Sequence, residues 1–164
     1  MADVRLLAVG QKMPSWVSDA CSDYLPRFRH QFKLHIEEIP ASKKEGAEAQ
    51  SEHKKKLLER LKQNDFLVLL DERGRSYSTL DLADQITQWE LSGRSLVFAI
   101  GGADGWCEEV RRRADSQWSL SKLVFPHPLA RVIVVEQLYR ADSVRQGHPY
   151  HRSCLLYTSD AADE

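Results

Sequence analysis

No stretch of this chain is apolar for as long as a membrane crossing requires, about 18 residues or more. The first apolar run, residues 4–9, is too short and too weakly flanked for a signal peptide, so a cytoplasmic protein with no membrane partner is expected. Cysteine is scarce: Cys21, Cys107 and Cys154 are odd in number, and none stands in a Cys-x-x-Cys pair. That spacing supports neither a disulfide framework nor a zinc site, and no metal is expected. Charge of neither sign prevails, with 23 Lys and Arg against 24 Asp and Glu and a formal net charge of −1. Such a balance by itself argues against a nucleic-acid partner. Internal repeats and low-complexity linkers are missing too, so nothing divides the chain into several domains.

What is present suits one soluble domain. The 164 residues are 42% apolar and 29% charged, enough for a single core without disulfide or metal staples. The last eleven, 154–164, read Cys-Leu-Leu-Tyr-Thr-Ser-Asp-Ala-Ala-Asp-Glu, which looks like a sequencing-library adapter translated in frame. Residues 153–164 are therefore expected to be a non-native tail outside the domain. Removing its three acids, Asp160, Asp163 and Glu164, turns the net charge of −1 into +2 and weakens the objection to nucleic acid.

Strand and helix signals alternate five times. Apolar or alternating runs predict strands over 4–9, 34–39, 66–70, 95–100 and 119–125. Helical spacing falls over 14–24, 79–91, 108–114 and from 129 onward, with Ser78 or Thr79 able to cap the second of these. Residues 42–63, rich in Lys, Glu and Gln, predict a solvated helix with a short stripe of Leu57, Leu58 and Leu61; an RNA-binding arm is the other reading. The last helix contains the β-branched run 132–135, which imitates a strand. Its length, with no Gly or Pro, favours helix, and the excess of Val and Ile suggests burial on several sides, as at a dimer interface through Val132, Val135 and Tyr139. The pattern is that of an α/β fold with a mostly parallel sheet.

The segment 100–141 carries the chemistry. Its glycines, Gly101, Gly102 and Gly105, fall on the turn leaving the fourth strand, where open α/β sheets bind ligands and where a missing Cβ lets backbone groups approach one. On this piece alone an ordinary tight turn serves as well. Downstream, Pro126 and Pro128 bracket His127, making a rigid switch into the last helix.

Several motifs in order carry a resemblance. They are the Ile-Gly-Gly-x-x-Gly turn at 100–105, Ser-x-Ser-x-Leu-x-x-Pro-His at 119–127, Arg-Val-x-x-x-Glu-Gln-x-Tyr-Arg-Ala at 131–141, and His-Pro-Tyr-His-Arg at 148–152. With the N-terminal segment 8–17, they resemble the RlmH family of the SPOUT superfamily, 23S ribosomal RNA pseudouridine-N3-methyltransferases. The likeness spans about residues 1–152, taken as one SPOUT methyltransferase domain.

The resemblance implies a C-terminal trefoil knot, which nothing in composition or spacing would reveal. It implies S-adenosyl-L-methionine held largely by backbone groups at Leu70, at Gly101 and along Leu120, Ser121, Lys122, Leu123, Val124 and Phe125. It also implies a homodimer acting on 23S rRNA in the assembled ribosome, at N3 of the pseudouridine at position 1915. Tyr150, His151 and Arg152, with Arg140, are implied to contact RNA or assist chemistry. The identity of the base stays open, with His127 and His148 also candidates and a structural role for His127 as the alternative. Two other functions remain in view: a related SPOUT enzyme acting on another RNA, and a non-enzymatic ribosome-binding protein.

Overall fold

The computed structural model describes residues 2–151; Arg152 and the tail 153–164 lie outside the described residues. The elements run β1 (Ala2–Val9), α1 (Ser15–Tyr24), a 3₁₀ turn (Leu25–Arg27), β2 (Phe32–Ile39), α2 (Gly46–Arg60), β3 (Asp65–Ser76), α3 (Thr79–Glu90), β4 (Ser95–Ile100), α4 (Glu108–Arg113), β5 (Ser116–Ser119) and α5 (His127–Gln146). The five strands form one sheet in the order β2-β1-β4-β3-β5, and every pairing is parallel.

Parity along the strands sets the layers, because successive side chains face opposite ways. Val4, Leu6 and Ala8 join Leu96, Phe98 and Ile100 on one face, which packs against α1, α3 and α5. Leu7, Val9, Val97 and Ala99 face the other way, onto α2 and α4 through Leu57 and Val110. Parallel strands covered on both faces read as continuous apolar runs, which is why β1 and β4 were legible.

Three expectations need correction. The first concerns β3, which does not end at residue 70. Leu70 pairs with Trp118, the segment 71–74 loops out, and pairing resumes at Arg75 with the same Trp118. The loop passes so close to β5 that a Cβ on Gly74 would sit 2.7 Å from the Trp118 nitrogen. The second concerns 119–125, where only Ser119 belongs to a strand. Leu123 and Val124 are 72% and 83% exposed, so the polar–apolar alternation there reflects no buried sheet face. The third concerns the acidic-basic helix. It spans Gly46–Arg60 and is solvated on one side only, since Ala49, His53 and Leu57 repeat every four residues and are buried, while Leu58 is exposed.

Ser78 caps α3, its hydroxyl accepting from the Asp81 N–H at 3.0 Å. The final helix begins at His127, with Pro126 as its N-cap and Pro128 in the first turn, as the proline pair requires. It is wedged between α1 and α3: Val134, Val135 and Leu138 are fully buried and Tyr139 nearly so. Val135 and Tyr139 are thus spent inside the protomer, and of the three expected interface residues only Val132 keeps partial exposure.

Candidate functional site

A cavity of about 730 Å³ opens at the carboxyl ends of β4 and β5, beside the interruption of β3 pairing after Leu70. Three segments wall it: Leu70 and Asp71 where the pairing of β3 is interrupted, the turn from Gly101 to Trp106 after β4, and the loop from Leu120 to His127 after β5. The last two lie there because a parallel sheet delivers its strand ends to one edge, and the first because β3 stops pairing at the same level before it resumes. Of the eight residues expected at a cofactor, Leu70, Gly101, Leu120, Ser121, Leu123, Val124 and Phe125 line this cavity; Lys122 shares the loop without lining it.

The loop is shaped locally. Ser119 Oγ donates to the Ser121 carbonyl at 3.1 Å, and Ser121 Oγ accepts the Leu123 N–H at 3.0 Å. This turn pushes Leu123 and Val124 outward at the cavity mouth, unusual exposure for large aliphatic side chains beside a concave surface. A ligand with an apolar ring would cover them, and the volume suits a nucleoside-sized molecule. S-adenosylmethionine therefore fits the residues present.

Gly101, which lines the cavity as expected, has a second task. A Cβ there would lie 3.0 Å from Trp106 Nε1 and 3.2 Å from two further indole atoms, so the glycine also makes room for the indole. Trp106 is buried in the cavity wall, and its Nε1 has no partner among the described residues. Sequence reasoning missed it, although a tryptophan one residue past a glycine turn was a visible cue. It also missed Arg111, whose Nε donates to Asp71 Oδ2 at 2.7 Å and ties α4 to the β3 loop across the cavity.

His127 is fixed as a neutral ring. Arg131 Nη2 can only donate, so at 3.2 Å the His127 Nε2 accepts, and Nδ1–H then donates to the Gly101 carbonyl at 2.8 Å. Burial holds its pKa below the usual histidine value, with Arg131 adding to the effect. Both nitrogens are occupied, so His127 serves as a strut between the glycine turn and α5. Arg131 extends the strut to the Gly10 carbonyl at 3.1 Å and to Glu38 Oε2 at 2.6 Å.

The terminal residues gather elsewhere. Arg140 Nε donates to Glu136 Oε1 at 2.7 Å, Arg140 Nη1 donates to His151 Nδ1 at 3.3 Å, and the guanidinium stands 4.7 Å from the centre of the Tyr150 ring. The Tyr150 hydroxyl lies 3.0 Å from that of Tyr24 and 3.3 Å from Glu136 Oε1. Burial, then the Tyr24 hydroxyl and Glu136, push the Tyr150 phenol up, so it stays protonated. Burial and Arg140 hold His151 down and neutral; with Nδ1 accepting from Arg140, the ring presents Nε2–H. Glu136 and Tyr24 are the members that sequence reasoning passed over, although the Glu136/Arg140 spacing of four was a readable helix pair.

None of Arg140, Tyr150 and His151 lines the cavity. Thirteen residues of helix separate His127 from Arg140, about 20 Å at 1.5 Å per residue. Within one protomer the two groups of expected site residues are therefore apart. No group of three or more metal-ligating side chains occurs among the described residues.

Comparison with known proteins bears on this arrangement. A family model described as "Predicted SPOUT methyltransferase" matches residues 2–151. The chain is 44% identical over 153 residues to a protein named ribosomal RNA large subunit methyltransferase H from Thioalkalivibrio sulfidiphilus, spanning 91% of this chain and 98% of the relative. It is 43% identical over 155 residues to the protein of the same name from Dichelobacter nodosus, spanning 92% and 99%. Among solved structures, a probable methylase family protein from Haemophilus influenzae aligns with a TM-score of 0.53 at 12% identity, over 88% of this chain and 66% of that one. A putative methylase family protein from Neisseria gonorrhoeae aligns at 0.51 and 12%, over 99% and 92%. At such identity the structures speak to the fold alone.

Proposed function

The chain belongs to the SPOUT methyltransferase family, and from that membership we propose that it methylates N3 of a pseudouridine in 23S rRNA, at position 1915 of the assembled ribosome. S-adenosylmethionine supplies the electrophilic methyl group when bound. The observation that carries the reading is the cavity where the three segments expected at the cofactor converge, with apolar side chains exposed at its mouth.

The chain's own residues divide the work. Backbone groups at Leu70, Gly101 and Leu120 to Phe125 hold the cofactor, and Leu123 and Val124 cover its apolar surface. The strut from His127 through Arg131 keeps the glycine turn in place. Loss of the N3 proton to solvent water leaves negative charge on the base, whose N3 lone pair then takes the methyl group; the Arg140 guanidinium stabilises such an anion and the His151 Nε2–H can donate to a carbonyl oxygen. Arg152, outside the described residues, belongs to the same proposed RNA-contacting end. Because Arg140 lies about 20 Å of helix from the cavity, a complete site draws these residues from the second copy of a homodimer.

Ribosomes incubated with the protein and S-adenosylmethionine should gain one methyl group on the pseudouridine, located by mass spectrometry of 23S rRNA fragments. Methylation of a different RNA, or binding to ribosomes with no methyl transfer, would replace the proposal with one of its two rivals.

A further inference from the structure

A second cavity, about 260 Å³, lies at the far end of α5 from the cofactor cavity, between that helix and the segment after the 3₁₀ turn. Arg27, Arg29, His30 and His148 line it together with Gln146, and no carboxylate does so among the described residues. We propose that this basic cavity is a phosphate subsite, taking a backbone phosphodiester of the RNA substrate next to the nucleotide being modified. The inference rests on the methyltransferase reading for its source of phosphate and on local chemistry for the rest.

The donors are prepared for an anion. Arg27 stacks with its guanidinium carbon 5.1 Å from the Tyr24 ring centre and 5.7 Å from that of Tyr139, which fixes the plane of the fork. A single Arg27 nitrogen is engaged, donating to Asp23 at 3.0 Å. Gly147 (φ 72°) ends α5 in the left-handed conformation and turns the chain back, so that the His148 N–H caps the Ser143 carbonyl at 2.9 Å. The Tyr150 N–H then donates to His148 Nδ1 at 3.1 Å, which leaves the neutral ring's proton on Nε2 as a donor. Arg29 and His30 are exposed at the cavity opening.

Cations near a helix C-terminus can also serve the helix alone, by meeting its last carbonyls. Here Gly147 and His148 already occupy the Val144 and Ser143 carbonyls, and Arg27, Arg29 and His30 bond to no carbonyl of α5. Asp142, buried beneath, has one oxygen engaged by Gln146 at 2.7 Å. The cavity also adjoins the proposed RNA-contacting end: its wall residue Tyr139 packs edge-on against Tyr150 at 4.8 Å between ring centres. A strand whose target base meets Arg140 and His151 would carry a neighbouring phosphate past this opening.

The test uses the full chain and the double variant Arg29→Gln/His30→Gln, both positions being exposed and outside the core. Equilibrium binding to ribosomes over a salt series should show several-fold weaker affinity for the variant and a log–log salt slope reduced by about 0.7–1, as expected for one lost phosphate contact. S-adenosylmethionine affinity should be unchanged. Proton NMR of the His148 ring should show saturable shifts on adding dimethyl phosphate, absent from the variant. Equal ribosome affinity and salt slope would overturn the proposal, and if the wild-type His148 ring still responds to the diester the cavity binds small anions only. Because ribosome binding is read without turnover, a wild-type protein that binds with this slope yet transfers no methyl would count against the methyltransferase reading and leave the phosphate subsite standing.

Discussion

His127 shows how much the surroundings of one side chain decide. From its residue type it is a candidate base; from its bonds to Gly101 and Arg131 it is a neutral strut. Burial depresses its pKa in the folded state below the unfolded value of about 6.5. The unfolded chain therefore binds the extra proton first, and the stability His127 contributes is fully present above about pH 6.5 and lost as pH falls through the folded pKa. His53 and His151 are depressed in the same direction, whereas burial raises the Asp142 carboxyl to about 6, so its contribution has the opposite sign between about pH 4 and 6. Replacing His127 by Gln, which can donate and accept at similar points, should reduce the acid-side slope of unfolding free energy against pH by up to about 1.4 kcal/mol per unit. Urea unfolding at a series of pH values reads this directly; identical slopes would mean that His127 titrates normally.

At the scale of the element, α5 has more to satisfy than its sequence suggests. Val134 and Val135 of its Val-rich run are explained by burial between α1 and α3 within one protomer, while Val132 and Ile133 stay partly exposed. Val135→Asp would place a carboxylate in a fully buried position, a cost of several kcal/mol, and should give unfolded protein instead of a folded monomer. Val132, which is only partly buried, is the position able to report on an interface. Val132→Asp should leave the far-ultraviolet circular dichroism of a folded chain while light scattering shows a shift toward monomer. A folded Val135→Asp dimer would contradict the packing described here.

The whole molecule holds its proposed cofactor loops and its proposed RNA-contacting end at opposite parts of one helix. If the working site combines loops of one protomer with Arg140 and His151 of a second copy, two defective proteins should complement each other. Gly101→Val, which displaces Trp106, and His151→Ala would each be inactive alone. After co-refolding, mixed dimers carry one intact site and should recover part of the wild-type methylation rate. No recovery, with mixed dimers shown to form by native mass spectrometry, would place the whole site in a single protomer.

Local sequence chemistry was enough for the α/β class, the boundaries of β4, the cap at Ser78, the proline-set start of α5 and the glycine turn at the end of β4. Each depends on local chemistry: parity in a buried strand, a hydroxyl at a helix N-terminus, fixed φ at proline, a glycine turn leaving a strand. The motifs also pointed to the family before any coordinate was considered. It took the folded chain to show that β3 resumes after its loop, that 120–125 leaves the sheet, that the buried face of α2 takes Ala49 and His53 with Leu57 and leaves Leu58 out, and that Gly101 makes room for Trp106. These outcomes depend on what lies across space. Alternation in 119–125 looks the same whether or not a layer covers it, and Gly74 is needed only because residue 118 passes beside it. The separation of Arg140 from the cavity has the same origin: proximity in sequence to His127 becomes distance once the intervening residues are wound into a helix.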